Sequence, residues 1–156
     1  MRVYLGSDHA GFELKRHLID WLRAQGHEAV DVGAPSYDAA DDYPPFVIRA
    51  AHRVADDPGS FGIVLGGSGN GESMAANKVP GVRAALVWND EIATLAREHN
   101  DANVISIGAR MHTHDQATGF VALFLCTPFS GDDRHSRRIT QMHDYETTGA
   151  PPPLPA

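Results

Sequence analysis

The sequence predicts an α/β domain: a three-layer αβα sandwich built on a five-stranded parallel, Rossmann-like sheet. Two observations support this. Short, almost continuously apolar segments alternate with segments whose apolar residues recur at helical spacing. Such alternation is typical of strand–helix–strand units, whose right-handed crossovers produce parallel strands covered by helices on both faces. The apolar segments also lack a regular polar alternation, as expected for strands that are buried on both sides.

The predicted elements follow one another along the chain. The strands are RVYLG (2–6), EAVDVG (28–33), FGIVLGG (61–67), RAALVW (83–88) and NVISIG (103–108). The helices are FELKRHLIDWLRAQG (12–26), PPFVIRAAHRVADD (44–57), ESMAANK (72–78), DEIATLAREHN (90–100), HDQATGFVALFLC (114–126) and a polar last helix within 130–148. Leu14, Leu18 and Leu22 recur at helical spacing in the first helix, and Gly26 offers it a stop. Proline in its first turn favours the start of the second.

Length and charge limit the classes of function. A chain of 156 residues is the size of one domain, which we expect over residues 1–148, with residues 149–156 as a proline-rich tail. With 13 basic and 20 acidic residues the net charge is −7, which argues against a nucleic-acid or membrane partner. Cys126 is the single cysteine, and the first residues lack the apolar stretch of a signal peptide. We therefore expect a cytoplasmic protein.

A glycine-rich loop follows the third predicted strand. The segment VLGGSGNGES (64–73) nearly matches the phosphate-binding motif G-x-x-x-x-G-K-[ST], but Glu72 stands in place of the lysine. At ~4 Å and an effective dielectric of ~20, its charge would repel a phosphate by several kcal/mol. The loop amides suit a transient oxyanion better, with Glu72 as the base that moves a carbon-bound proton. In the competing interpretation the glycines form a tight turn and Glu72 complements the helix dipole.

Ligands of open parallel sheets bind beyond the carboxyl ends of the strands, so the residues after each strand are candidates for a site. They are Ser7, Asp8 and His9, the glycine loop, Asn89 and Asp90, and Arg110 and His112. A phosphate would need cations, which Arg110 and the last-helix residues Arg134 and Arg138 can supply. In the competing interpretation the last-helix arginines form a solvated face paired with nearby aspartates.

Two of the nine histidines have positions that suit proton transfer. His9 follows the first strand beside Asp8, and His99, with Asn100, ends the helix before the fifth strand. A metal site is the competing use of histidines and carboxylates, for which SDH (7–9) and MHTHD (111–115) supply candidates. No set of spacings specifies four ligands, so the metal site is the less favoured interpretation and we expect no metal.

Four segments resemble the family of ribose-5-phosphate isomerase B, which also includes allose- and galactose-6-phosphate isomerases. They are GSDHAGFELK (6–15), GIVLGGSGNGESMAANKVPGVRAAL (62–86), AREHNDANVISIGARM (96–111) and RHSRRI (134–139). The resemblance implies a cofactor-free aldose–ketose isomerase that opens the sugar ring and then interconverts ribose 5-phosphate and ribulose 5-phosphate through a cis-enediolate. It also implies a homodimer, with a tetramer left open, whose active sites contain residues of both subunits.

The resemblance assigns roles to individual residues. Asp8 and His9 match the family's D-H-A-G motif at the sugar end of the site. The loop that holds the enediolate oxygens is matched by Ser68 and by the amides of Gly67, Gly69, Asn70 and Gly71. His99 matches the ring-opening residue, with Asn100 beside it. The phosphate ligands are matched by Arg110, Arg134 and Arg138, with His135 in the same segment and the last helix expected to reach the neighbouring subunit.

The loop departs from the commonest family pattern at the position of the base. Many members carry a cysteine early in the loop, where this chain has Gly67. A subset with glutamate after the loop uses that carboxylate, and Glu72 fits the subset. We expect substrate binding to desolvate Glu72 and raise its pKa. Ser68 and Asp8 are the candidates for moving the proton between the two substrate oxygens.

Two other functions stay open at this point. The substrate of the same catalytic residues could be a four- or six-carbon phosphosugar, because the sequence does not give the distance from base to phosphate. A non-catalytic, flavodoxin-like module for phosphate or nucleotides is the alternative of another class. It is disfavoured by the absence of G-x-G-x-x-G and of the P-loop lysine.

Overall fold

The computed structural model describes residues 1–154 and confirms the predicted α/β sandwich. In this part of the chain five parallel strands form one sheet: β1 (Arg2–Ser7), β2 (Glu28–Asp31), β3 (Phe61–Gly66), β4 (Ala84–Val87) and β5 (Val104–Gly108). Six helices connect and follow them: α1 (Phe12–Ala24), α2 (Pro44–Ala55), α3 (Asn70–Ala76), α4 (Asp90–Asn100), α5 (His114–Cys126) and α6 (Asp133–Thr148). The last two residues of the expected tail, 155–156, lie outside the described residues.

The strand order brings the ends of β3 and β5 together. The order is β2-β1-β3-β5-β4, so β5 lies between two strands that are consecutive in the chain. Gly66, the last residue of β3, is in register with Gly108, the last residue of β5. The segment that follows β5 therefore adjoins the glycine loop that follows β3.

The helices pack on both faces of the sheet over two apolar clusters. On one face, α1, α4 and α5 cover strand residues that include Leu5, Ile63 and Ile105. On the other, α2 and α3 cover the alternate strand residues, including Tyr4, Val64 and Val104. Burial on both faces explains why the strands read as continuous apolar segments.

The helix ends agree best with the sequence where a side chain caps them. Helices α4 and α5 have their predicted bounds, because Asn89 accepts a hydrogen bond from the Ile92 amide at 2.8 Å and Thr113 forms a capping box with Gln116. Helix α3 begins at Asn70, two residues earlier than predicted. A 3-10 turn over His9–Gly11 was not predicted; Asp8 caps it by accepting from the Ala10 amide at 2.9 Å.

Helix α6 lies along the edge where β4 and β5 begin. The Ser130 amide, just before α6, donates to the carbonyl of Glu98 at 3.0 Å, and near its end Glu146 accepts from the Gly81 amide at 2.8 Å. The helix is largely exposed except at His135. Among residues 1–154, none of the helices combines the length and the apolar character needed to cross a membrane.

Candidate active site

The glycine loop is held by hydrogen bonds at the carboxyl edge of the sheet, the edge where the strands end. Three of its carbonyl oxygens accept hydrogen bonds from β5 or the residues after it: Gly66 from the Ala109 amide (2.8 Å), Gly67 from the Arg110 amide (3.1 Å) and Gly69 from Ser106 Oγ (2.7 Å). A trans peptide points its C=O and N–H groups in opposite directions. The amides of Gly67 and Ser68, which follow the first two of these carbonyls, therefore point away from β5, where they can meet an anion, whereas the Asn70 amide donates to Ser68 Oγ.

Two glycines of the loop leave no room for a side chain. Gly69 has φ +82°, and a Cβ there would lie 3.0 Å from the Gly108 amide nitrogen. A Cβ at Gly71 would overlap the phenol ring of Tyr43. Tyr43 therefore lies against the loop, although the sequence offered no signal that the residue before α2 would do so.

Glu72 is buried beside the loop, with only 4% of its surface exposed. It lies in the first turn of α3, and its carboxylate packs against Gly66. Burial is the main cause that raises the pKa of Glu72, and the nearby charge of Asp8 adds to it. Hydrogen bonds from the amides of Glu72 itself and Gly69 oppose the rise in pKa. The balance favours a carboxylate that accepts protons more readily than a free glutamate.

His9 is bound to an aspartate that sequence reasoning missed. Asp41 Oδ1 lies 2.8 Å from His9 Nδ1 and accepts the His9 backbone amide at 2.9 Å. Asp8 Oδ2 is 3.9 Å from the same ring nitrogen. Asp41 comes from the loop between β2 and α2, where three aspartates lie within five residues, so no pattern in the sequence distinguished it.

Ser68 and Arg110 complete the polar residues around the loop. Both are exposed. Ser68 Oγ accepts from the Asn70 amide at 3.3 Å and lies 3.2 Å from Asn70 Nδ2. A Cβ at Gly67 would lie 3.5 Å from Arg110 Nη1, so the guanidinium lies over the loop. We name Asp8, His9, Ser68, Glu72 and Arg110 the carboxyl-edge group.

The remaining predicted site residues form a second cluster: His99, Asn100, Arg134, His135 and Arg138, which we name the amino-edge group. The rings of His99 and His135 stack with centroids 4.2 Å apart, and His135 Nδ1 lies 2.8 Å from Ser130 Oγ. Desolvation is the main cause that lowers the pKa of His135, and the charges of His99 and Arg134 contribute. Arg134 and Arg138 are exposed, and Arg134 Nε is 3.7 Å from Asp132, as the competing interpretation expected.

The two groups lie at opposite edges of the sheet. Because the strands are parallel, α4 starts where β4 ends and returns to where β5 begins, which carries His99 and Asn100 to the amino edge. A strand of five residues spans about 17 Å, which separates the two groups within one chain. The structure thus brings each group together but does not bring His99 to Glu72.

A network of charged side chains holds the turn that carries His99 and Asn100. Asp101 adopts a left-handed conformation with φ +45°. Its carboxylate pairs with Arg97 at 2.8 Å and with Arg83 at 3.0 Å, and Arg83 Nε also donates to the Asn100 carbonyl at 3.0 Å. Arg97 is itself buried against the ring of Phe61. The end of α4 is therefore held by ion pairs and hydrogen bonds on this face.

One cluster of side chains bears on the interpretation that the protein binds a metal. Among residues 1–154, Asp8, His9 and Asp41 are the set of possible ligands whose atoms lie within 4.8 Å of one another. The second candidate segment, 111–115, forms no such cluster in the same part of the chain. In the first cluster Nδ1 of His9 is already engaged with Asp41. The arrangement is that of a hydrogen-bonded histidine and carboxylate.

A cavity of about 710 Å³ lies between α6 and residues 77–85. Its wall includes Asn100 and the apolar side chains of Val82, Ile139 and Met142, but not Glu72 or His9. It therefore adjoins the amino-edge group and is separate from the glycine loop.

Comparison with known proteins gives one consistent result. The family model described as Ribose/Galactose Isomerase matches residues 3–142. Ribose-5-phosphate isomerase B of Mycobacterium tuberculosis is 59% identical over 155 residues, which cover 99% of this chain and 96% of the relative. The protein of the same name from Mycolicibacterium paratuberculosis is 60% identical over 155 residues, covering 99% of this chain and 98% of the relative.

Solved structures agree with the sequence relatives. The crystal structure of ribose-5-phosphate isomerase B from Mycoplasma genitalium with bound ribulose-5-phosphate superposes with a TM-score of 0.91 at 39% identity, over 94% of this chain and 97% of that one. Ribose-5-phosphate isomerase B of Clostridium thermocellum gives a TM-score of 0.89 at 39% identity, over 96% and 100% of the two chains.

Proposed function

The chain belongs to the ribose/galactose isomerase family, and from this premise we propose that it is a ribose-5-phosphate isomerase. It interconverts ribose 5-phosphate and ribulose 5-phosphate by moving a proton between carbon 2 and carbon 1. The observation that carries this conclusion is the 59% identity, over nearly the whole chain, to a protein of that activity. The relative solved with bound ribulose-5-phosphate supports a phosphosugar as the substrate.

Glu72 is the base in the proposed mechanism. The reaction needs one group that removes the proton from carbon 2 of the open-chain aldose and returns it to carbon 1. Glu72 suits this role because its carboxylate is buried at the loop and its pKa is raised by that burial. This assignment places the chain in the subset of the family that uses glutamate after the loop instead of cysteine within it.

The glycine loop stabilises the enediolate. As the proton leaves, negative charge develops on the oxygens of carbons 1 and 2, and fixed amides lower the free energy of that charge without reorganising. The hydrogen bonds that β5 and the residues after it make to the loop carbonyls support the loop backbone for this role, and Ser68 is the hydroxyl of the loop. Ser68 and Asp8 are the two groups proposed to move the proton between the oxygens. The mechanism requires no cofactor, because Glu72 and the loop provide both base and oxyanion stabilisation.

Residues of both the carboxyl-edge group and the amino-edge group bind the phosphate and act on the sugar ring of the substrate. Arg110 at the carboxyl edge and Arg134 and Arg138 at the amino edge bind the phosphate, with His135 beside them. His9 at the carboxyl edge and Asn100 at the amino edge also bind the substrate, and His99 opens the ring. Because about 17 Å of strand separates the edges, one chain cannot apply both groups to one sugar. A homodimer in which the amino-edge group of one subunit meets the carboxyl-edge group of the other removes this difficulty.

The alternative functions have less support. A four- or six-carbon phosphosugar would use the same residues, but the relatives of high identity are named for ribose 5-phosphate, a five-carbon sugar phosphate. A nucleotide-binding module leaves Glu72 and the arginines without a joint role. We propose a cytoplasmic location, where a phosphorylated sugar is available, and a single folded domain over residues 1–148.

The test is proton exchange during turnover. Ribose 5-phosphate is incubated in deuterated water with the parent, with Glu72→Gln and with Glu91→Gln, and the carbon-bound protons are followed by proton NMR. Glu91 is an exposed glutamate in the first turn of α4, so its variant is a matched control. We expect deuterated ribulose 5-phosphate from the parent and the control, and loss of activity by orders of magnitude in Glu72→Gln. A parent that leaves ribose 5-phosphate unchanged would refute the proposed function.

A further inference from the structure

In the loop between β2 and α2, one carboxylate oxygen of Asp41 contacts both the backbone amide and the ring of His9. Asp41 Oδ1 accepts the His9 amide at 2.9 Å and lies 2.8 Å from Nδ1 of the ring. We propose that Asp41 is a positioning residue, which holds His9 Nδ1 as a hydrogen-bond donor and so leaves Nε2 to bind the phosphosugar. This inference deepens the proposed function and rests on it for the role of His9.

The hydrogen-bond chemistry determines which ring nitrogen carries a proton. An ionised carboxylate only accepts hydrogen bonds, so Nδ1 must be the donor to Asp41. In a neutral ring Nε2 would then carry a lone pair, which would meet an anionic substrate unfavourably. In the protonated ring both nitrogens donate. His9 therefore binds an anion well only as imidazolium, with Nε2 as the outward donor.

The surrounding charges favour the imidazolium. The titratable groups that face His9 are Asp41, Asp8 at 3.9 Å from Nδ1, and the ring of Tyr37, edge-on at 6.2 Å between centroids. The hydrogen bond to Asp41 is the largest cause that raises the pKa of His9, and the charge of Asp8 adds to it. Desolvation by burial opposes the rise.

The loop that carries Asp41 is anchored to the sheet and to α1 near its start. The amide of Ala34 donates to the Ser7 carbonyl at 3.2 Å, and the carbonyl of Ala34 accepts from the buried Lys15 at 2.6 Å. Asp41 Oδ2 is buried and has no hydrogen-bond partner among residues 1–154. A desolvated carboxylate is costly unless a cation faces it, and protonated His9 is that cation. An asparagine would supply the acceptor but not the charge.

The experiment compares Asp41→Asn with Asp38→Asn. The control removes the same charge from an exposed residue of the same loop, and asparagine still accepts from the Ala40 amide. In Asp41→Asn we expect KM for ribose 5-phosphate to rise about tenfold with kcat little changed. Because the pKa of His9 falls, the alkaline limb of kcat/KM moves to lower pH. In a His9→Gln background, Asp41→Asn should add little further loss.

NMR titration of the His9 ring separates this inference from the proposed function. A lower pKa of His9 in Asp41→Asn, with weaker binding of inorganic phosphate, supports the inference even if the parent fails to isomerise ribose 5-phosphate. An unchanged His9 titration in Asp41→Asn overturns it, whatever the activity. A fall in kcat alone, without a shift of the pH profile, also overturns it, because that result indicates a general structural defect.

Discussion

The carboxylate of Glu72 packs directly against the α-carbon of Gly66, so a Cβ at position 66 would overlap Glu72 Oε1. The last residue of β3 is therefore a glycine for a reason that involves the proposed base. The contact relates the end of a core strand to the chemistry of the site.

Gly66→Ala should displace Glu72 and lower both activity and stability. We expect kcat/KM to fall by about 100-fold, because a displacement of ~1 Å suffices for that loss. Overpacking should cost ~1–3 kcal/mol in the free energy of unfolding by urea. Gly119→Ala is the control, because nothing lies within 4 Å of a Cβ there and alanine is favoured within a helix. Parent-like turnover in Gly66→Ala would contradict the proposed position of the base.

Glu72→Gln should stabilise the folded protein at neutral pH while abolishing turnover. The pKa of Glu72 is raised above the ordinary 4.5, so the folded state prefers the protonated form. The stability associated with that proton is present below pH 4.5 and is lost as pH rises through the raised pKa. The melting temperature of Glu72→Gln should therefore exceed that of the parent at pH 7, and the difference should shrink at pH 4. A difference independent of pH would count against the raised pKa.

The raised pKa of Glu72 also predicts the acid limb of the pH–activity profile. A base must be deprotonated to act, so kcat/KM should fall as pH decreases through the pKa of Glu72 in the free enzyme. We expect this limb above pH 4.5, the ordinary value for glutamate. A limb at or below that value would contradict the raised pKa of Glu72 in the free enzyme.

Two inactive variants should restore activity when mixed, if the two edge groups meet across subunits. Glu72→Gln alters the carboxyl-edge group and His99→Asn the amino-edge group. In a mixed dimer one site carries both changes and the other carries none. After denaturation and refolding of an equal mixture, about a quarter of the parent activity should return.

The control is each variant refolded alone, which should stay inactive. If the mixture gains nothing although mixed dimers form, the two groups do not share a site across subunits. Sedimentation of the parent should also give a species of twice the chain mass.

Lys15→Met should destabilise the protein because it leaves a buried carbonyl oxygen without its hydrogen-bond donor. Lys15 is fully buried and donates to the Ala34 carbonyl at 2.6 Å and to Asp31 at 2.9 Å. Methionine has a similar shape but leaves that carbonyl without a donor, at a cost of ~1–3 kcal/mol in the free energy of unfolding. Arg16→Met is the control, because Arg16 is exposed and its pair with Glu13 is 3.8 Å long; it should change stability by less than ~0.5 kcal/mol. Equal effects of the two changes would contradict this account.

Prediction from sequence succeeded where local chemistry determines the structure. Helices α4 and α5 have the bounds expected from their pattern, since Asn89 and Thr113 cap them with their own side chains. It was less accurate for α3, where the left-handed conformation of Gly69 starts the helix two residues early. A glycine permits a left-handed conformation, but its presence in the sequence does not predict that the residue adopts it.

The sequence by itself determined the α/β class, the family and the residue types of the site, because apolar periodicity and contiguous motifs are local properties. Only the tertiary structure decided which of those residues meet. The strand order lays Arg110 beside the glycine loop, and the return of α4 across the sheet carries His99 to the opposite edge. The pairing of Asp41 with His9 likewise joins residues 32 positions apart through a loop without periodicity. Contacts of this kind depend on how whole elements pack, and no short stretch of sequence contains that information.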